Sequence, residues 1–396
     1  MKLLAVEDAR ARMLAEAPRL GAETAPLAEA AGRVLAEDVA AERDQPPFRA
    51  SAMDGWAVRA AETPGRFTIA GDSAAGHGFA GEVPRGAAVR IFTGAAVPKD
   101  CDAVVIQEDA RRDGDVVECP QAPVGQNVRP AGGDFRAGAP LLAAGQRLDA
   151  WRISLAAAAG RAELSVSRRP RVTLFSTGEE IVEAPTRPGP FQIYDSGSLA
   201  LAALAAVWGA QVSRARPVRD DLEATIAALR AAEGDLVVTV GGASVGDHDL
   251  VRAAGQALGL QLKVESVAVR PGKPTFFGVL ADGRRMLGLP GNPASALVCA
   301  ELFLRPWLAA AQGASPELAM IQARAAEPMP ANGPREHWMR AAITFDGGAV
   351  TARPFRDQDS SLVSVFAASN GLVRRAPGAP AAEAGALVEV LPLARA

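Results

Sequence analysis

The stretch DLVVTVGGASVGDHDLV, residues 235–251, runs an apolar segment into three glycines and then Asp247, His248 and Asp249. Glycines let backbone N–H groups turn toward a ligand at close range, and a helix beginning near Asp249 adds partial positive charge. Gly241, Gly242, Ser244 and Gly246 therefore suit an anion. The competing reading is a tight strand-to-helix turn with Asp249 as N-cap. The loop matches neither the G-x-x-x-x-G-K-[ST] phosphate loop nor the G-x-G-x-x-G dinucleotide fingerprint. His248 reads as an exposed loop residue with no second histidine nearby to complete a metal site.

Similar punctuation follows other apolar runs. LFSTGEEI offers Ser176, Thr177, Gly178 and Glu180, and IYDSGS offers Asp195 and Ser196, with helix capping as the alternative. PVRDDLEA offers Asp220, which with Glu223 also resembles a capping box. VRPGKPTFF fixes Arg270 and Lys273 between prolines, suiting an oxyanion unless the segment is a solvated turn. GLPGNPAS brings Pro290, Asn292 as N-cap and Pro293 at the first helical position. Strand ends of an open α/β sheet share one face, so these groups are expected to converge. Carboxylates beside phosphate-binding cations call for a divalent ion between them. Mg²⁺ held by Glu180, Asp220 and Asp249 is the natural candidate for phosphoanhydride chemistry.

Positioning these residues requires several layers. The 396 residues suggest two to four domains at roughly 150 residues each. Residues 170–312 alternate short apolar runs (RVTLFSTG, DLVVTVGG, RMLGLPG) with helix candidates at 198–209, 221–232 and 249–258 and a final one after the last run. That alternation predicts right-handed βαβ units and a doubly wound parallel sheet. Residues 1–46 read helical in VEDARARMLAEA and PLAEAAGRVLAEDVAAE. Residues 47–139 read as a small β-domain through RFTIA, AVRIFTG, DAVVIQE and DVVE, and a helix follows at 151–160. Residues 313–396 suggest a small β-domain, through MRAAITF and LVEVLPL.

Composition narrows the function. Forty-two basic against 45 acidic residues leave a net charge of −3, which argues against a nucleic-acid or membrane-surface binder. Lys273 is one of only four lysines, with Lys2, Lys99 and Lys263. Three scattered cysteines with no C-x-x-C pair argue against a disulfide framework or structural zinc site. The N-terminus carries no signal-peptide pattern and the apolar segment at 199–210 is too short to span a bilayer, so a cytoplasmic protein is expected.

PPFRASAMDGWAV, RIFTGAAVP, VVIQED, FSTGEEI, QIYDSGS, VGGASVGDHD, RPGKP, GLPGNPAS and QDSSLVSVFAASNGLV occur in that order. From about residue 25 onward the chain resembles the molybdopterin molybdenumtransferase family, which includes the scaffold gephyrin. The resemblance implies a multidomain α/β plus β architecture. Its central α/β domain (170–312) is similar to molybdopterin adenylyltransferase, with an inserted β-domain (47–139) and a C-terminal β-barrel-like domain (313–396). Residues 1–46 and 140–169 would form one discontinuous domain. It implies a homodimer that takes molybdate and adenylylated molybdopterin, cleaves the phosphoanhydride with Mg²⁺ and releases AMP. Partners would be the adenylyltransferase and molybdoenzyme apoproteins or chaperones. The family's functional positions fall on Asp54, Thr93 and Asp134, which would reach across the dimer, and on Glu180, Asp220, Asp249, Arg270 and Lys273. Trp56, Gly133, Phe135, Gly197 and Arg270 depart from its usual pattern, and Arg270 exchanges a point charge for a planar fork. A gephyrin-type scaffold and the adenylyltransferase itself are the competing functions.

Overall fold

The computed structural model of the protein describes residues 3–242 and 250–393. Two compact units are present. One comprises Met1–Glu23, Gly32–Ala36 and Ser165–Ala396, the other Thr24–Ala31 and Glu37–Leu164.

The larger unit is built on a six-stranded sheet: β1 (Arg171–Ser176), β2 (Gln211–Arg214), β3 (Leu236–Val240), β4 (Gln261–Val264), β5 (Phe276–Val279) and β6 (Arg285–Leu289), in the order β2-β1-β3-β6-β5-β4. The helices α1 (Ser196–Val207), α2 (Leu222–Ala231), α3 (Leu250–Ala257) and α4 (Pro293–Cys299) cover it. Strand periodicity explains the two cores, because successive side chains point to opposite faces. Val172, Leu174, Leu236, Val238, Leu287 and Leu289 pack on one face with Leu201 and Ala205 of α1 and Leu297 of α4. Phe175, Val237 and Met286 pack on the other with Ile226 and Leu229 of α2 and Val251 and Ala254 of α3. The sheet is thus doubly wound, as its apolar runs implied. It is mixed rather than wholly parallel, however: β5 runs antiparallel to both β6 and β4. The three short strands β2, β4 and β5 lay hidden in the sequence. Two of them are edge strands whose half-exposed residues lack an apolar run.

Residues 293–311 form the long apolar helical stretch expected after the last strand, relaxed into a π-helical turn at Ala300–Leu304. Among the described residues it alone has the length and hydropathy of a membrane span, yet 83% of it is buried inside the fold.

Asp221, not Asp220, is the N-cap of α2, accepting from the Ala224 N–H at 2.7 Å. With Ala224 at the third helical position the capping box read from Asp220 and Glu223 does not form, and Asp220 is left exposed. Asp221→Ala should cost about 1 kcal/mol in denaturant unfolding, and Asp220→Ala within about 0.5 kcal/mol of nothing.

After a further turn the chain closes a small barrel from β7 (Ile321–Ala325), β8 (Glu336–Asp346), β9 (Ala349–Pro354), β10 (Gly371–Arg375) and β11 (Leu387–Pro392). The pairings run β8-β9-β7-β11-β10 and return to β8. Ala323, Ala325, Ala341, Ile343, Ala352, Val373 and Val390 fill it, the small side chains a narrow barrel needs.

The smaller unit holds a six-stranded sheet that includes Gly55–Val58, Gly65–Ser73, Ala87–Ile91 and Ala103–Ile106, with a core on each face. The helix Ala150–Ala158 is capped by Asp149.

One expectation fails near the N-terminus. Val6–Ala15 is helical, but residues 26–42 are not. They contain a 3-10 turn at Leu27–Glu29 and a short strand at Val39–Ala40, and Leu35 bridges antiparallel to Val166. Gly32 adopts a positive φ of 73° that ends any helix, so tertiary strand pairing overrides the alanine-rich propensity.

Candidate functional site

A cleft of about 1120 Å³ opens at the carboxyl ends of β1, β3 and β6 in the larger unit. Ser176, Thr177, Gly178, Glu180, Asp195, Ser196, Asp220, Gly241, Gly242, Arg270, Lys273, Pro290, Asn292 and Pro293 all line it. Fourteen residues chosen from separate sequence segments thus meet at one place. Ser244, Gly246 and Asp249 lie outside the described residues.

The strand ends make close approaches that only glycine allows. A Cβ on Gly241 would lie 2.7 Å from the Thr177 carbonyl oxygen, and one on Gly242 2.4 Å from Val251 Cγ2. Thr177 Oγ1 beside them is buried and has no hydrogen-bond partner among the described residues. An unsatisfied hydroxyl at a cleft floor is costly unless a ligand completes it. A Cβ on Gly178 would meet the Glu180 carboxylate at 2.4 Å, so that glycine gives the acid its path over the loop.

The acids differ sharply in what they do. Asp195 is saturated: both its oxygens accept from Ser176 Oγ at 3.0 Å, and the Ser198 N–H donates to it at 3.0 Å. Its side chain is 4% exposed and caps α1, as its alternative reading supposed. Glu180 and Asp220 are exposed, with no hydrogen bond or ion pair from their side chains to any described residue. Among the described residues no three metal-ligating side chains are gathered into one cluster.

The opposing wall is cationic and stiff. Arg270 pairs with His337 of β8, and Thr275 donates through its N–H (3.0 Å) and Oγ1 (2.8 Å) to the Gly272 carbonyl. The Val267 N–H bonds the Lys273 carbonyl at 3.1 Å. Arg270 and Lys273 are exposed to the cleft and form no salt bridge with a described residue. Two uncompensated cations on a pinned loop are an anion site waiting for charge.

Arg335, Gln358, Asp359, Ser360 and Ser361 from the barrel end also line the cleft and were not singled out in the sequence. The QDSS motif was the available signal, but nothing in its residue types separates a turn from a wall. Asn292 occupies the N-cap position with Pro293 at N1, as expected, but its side-chain amide donates to Ser360 Oγ at 2.7 Å instead of capping.

In the smaller unit Asp54 Oδ1 accepts from both the Thr93 N–H and Thr93 Oγ1 at 2.7 Å. These two bonds, the backbone one first, hold its carboxyl below the usual range, with Arg90 adding to the effect. A Cβ on the neighbouring Gly55 would fall 1.9 Å from the Val105 carbonyl oxygen, so Gly55 serves strand packing rather than a simple turn. Trp56 is buried with the Arg90 guanidinium 5.4 Å from its ring. Asp134 is exposed, its N–H bonded to the Gln45 carbonyl at 2.9 Å, and no bond among the described residues joins it to Asp54 or Thr93.

The sequence matches three family descriptions in succession: the MoeA N-terminal region (domain I and II) over 4–160, a probable molybdopterin binding domain over 173–310, and the MoeA C-terminal region (domain IV) over 322–393. It is 37% identical over 320 residues to a molybdopterin molybdenumtransferase of Haemophilus influenzae, covering 78% of each chain. The chain belongs to the molybdopterin molybdenumtransferase family. A relative of the same name from Nostoc is 36% identical over 343 residues, 82% of this chain and 78% of that one. The fold agrees throughout: a molybdopterin biosynthesis MoeA protein from Pyrococcus horikosii superimposes with a TM-score of 0.82 at 31% identity over 99% of both chains. The stretch matched as a molybdopterin binding domain contains β2–β6 and the carboxyl end of β1, and the ends of β1, β3 and β6 floor the cleft.

Proposed function

We propose that this chain is a molybdopterin molybdenumtransferase, which inserts molybdenum from molybdate into adenylylated molybdopterin and releases AMP. Family membership supplies the substrate class. The observation that carries the reading at the site is the pairing, across one cleft, of unengaged carboxylates (Glu180, Asp220) with unengaged cations (Arg270, Lys273).

The residues act mainly by charge. Arg270 and Lys273 bind the phosphoanhydride or molybdate oxygens and stabilise negative charge as the bond to the adenylate breaks. Thr177 Oγ1 hydrogen-bonds a ligand at the cleft floor. Glu180 and Asp220 fit Mg²⁺, which favours one or two carboxylates plus phosphate oxygens and waters, and Asp249 would join them. Bound there, the ion would neutralise phosphate charge. Asp195 works indirectly, holding Ser176 and the start of α1.

The remaining assignments follow the same family likeness: a cytoplasmic homodimer with four domains bounded as set out above, in which Asp54, Thr93 and Asp134 complete the site of a second copy. The Asp54–Thr93 pair supports this as a preformed polar unit. Asp54→Asn is expected to depress turnover at least tenfold in a protein that still folds and dimerises; unchanged turnover would remove Asp54 from the site. The adenylyltransferase and molybdoenzyme apoproteins or their chaperones are the expected protein partners.

The deciding experiment is AMP release from adenylylated molybdopterin with Mg²⁺, with and without molybdate. Molybdate-stimulated release supports insertion. Absence of release under every condition would favour a gephyrin-type scaffold, and formation of adenylylated molybdopterin from molybdopterin and ATP would favour the adenylyltransferase.

A further inference from the structure

Beside the main cleft lies a second cavity of about 430 Å³, floored by the barrel. Three strands bring Arg270, His337 and Arg375 into one row: His337 of β8 registers with Arg270 on one side and with Arg375 of β10 on the other. Directly paired residues share a sheet face, and all three line the cavity. The two arginines flank the histidine in this row, and neither forms a salt bridge with a described residue. His337 is 8% exposed and Arg375 6%, and His337 Nε2 and Arg375 Nε are buried with no hydrogen-bond partner among the described residues. Arg375 otherwise gives its Nη2 to the Pro330 and Pro380 carbonyls, which fixes the guanidinium with Nε unused. Arg356, Asp357 and Asp359 line its exposed rim, and each acid already accepts a bond within its own loop.

We propose that this row is a second oxyanion subsite, which takes a tetrahedral dianion on His337, Arg375 and Arg356 and shares Arg270 with the main cleft. Such a ligand supplies the acceptors that the buried nitrogens lack, and its charge answers the arginines. Burial, followed by Arg270, Arg340, Arg335 and Arg375, pushes the His337 imidazole down to about 4, so it meets the anion as a neutral hydrogen-bonding group. Through Arg270 the subsite can hold an anion while the main cleft is occupied. The ligand is either free molybdate or the phosphate of the released nucleotide.

The test is imidazole NMR, simplified because the chain has only three histidines, His77, His248 and His337. The full-length protein is titrated with molybdate, inorganic phosphate and AMP, with His337→Gln assigning the signal. A saturable shift of the His337 resonance is expected, weakened about tenfold by Arg356→Gln at the exposed rim and retained in Lys273→Ala. A shift with molybdate or phosphate marks a free-oxyanion site; a shift with AMP alone marks the nucleotide phosphate. A silent His337 with all three ligands, or a shift abolished by Lys273→Ala, would overturn the subsite. Turnover is not read, so this result stands apart from the proposed activity.

Discussion

Lys273→Ala should lower kcat/KM for AMP release by about 10²–10³-fold without lowering the unfolding midpoint, the usual loss when one group facing developing charge is removed. The structure gives the reason for expecting both halves of that result. The Lys273 side chain is exposed, forms no salt bridge with a described residue, and lines the cleft. Its fixed position comes from backbone bonds that do not involve the ammonium: Val267 N–H to the Lys273 carbonyl, and Thr275 to the Gly272 carbonyl. Truncation therefore removes charge while leaving the loop in place. Steady-state kinetics with adenylylated molybdopterin, alongside thermal unfolding, separates the two. A drop in activity matched by a drop in midpoint would make Lys273 a structural residue. Arg270→Lys is a milder change, since charge is kept and only the planar fork is lost.

How much of this was legible in advance depended on what each residue does locally. Apolar runs of five or six residues, such as Leu236–Val240, declare a buried strand by themselves, and the acid or glycine that follows declares the strand end. This is why fourteen of the cleft residues could be named from separate motifs. The edge strands β2 and β4 could not, because their pattern is that of a polar turn. Asp220 and Asp221 show the limit of local reading: either could cap α2, and only the helix start chose Asp221 and freed Asp220 for the cleft. Arg335, Gln358 and Ser361 reach the cleft because the barrel closes beside it, a long-range pairing with no local signature. The alanine-rich 26–42 segment misled for the same reason, its helical propensity yielding to strand partners far along the chain.

Gly272→Ala is expected to destabilise the larger unit by about 2–5 kcal/mol, the sum of overpacking and a strained backbone. Gly272 has φ of 121°, a conformation side-chain-bearing residues rarely adopt, and its Cβ would sit 2.1 Å from Cys299 Sγ and 3.1 Å from Val269 Cγ1. Cys299 is fully buried at the end of α4, and its thiol accepts from Thr275 Oγ1 at 3.2 Å. Burial pushes that thiol up to about 12, so it is a neutral prop under the loop rather than a nucleophile. Removing the sulfur should relieve the clash but leave the strained φ. Adding Cys299→Ala to Gly272→Ala is therefore expected to recover about 1–3 kcal/mol as a positive coupling in a double-mutant cycle of denaturant unfolding. Thr275 keeps its bond to the Gly272 carbonyl, so losing the sulfur leaves no orphaned hydroxyl. Strictly additive effects would show that the sulfur does not support the loop. Because Gly272 lies between Arg270 and Lys273, the single variant should also lose activity beyond its loss of stability, and the double variant should regain part of both. That joint recovery would tie a buried thiol, through one glycine, to the placement of the two cations on which the proposed chemistry depends.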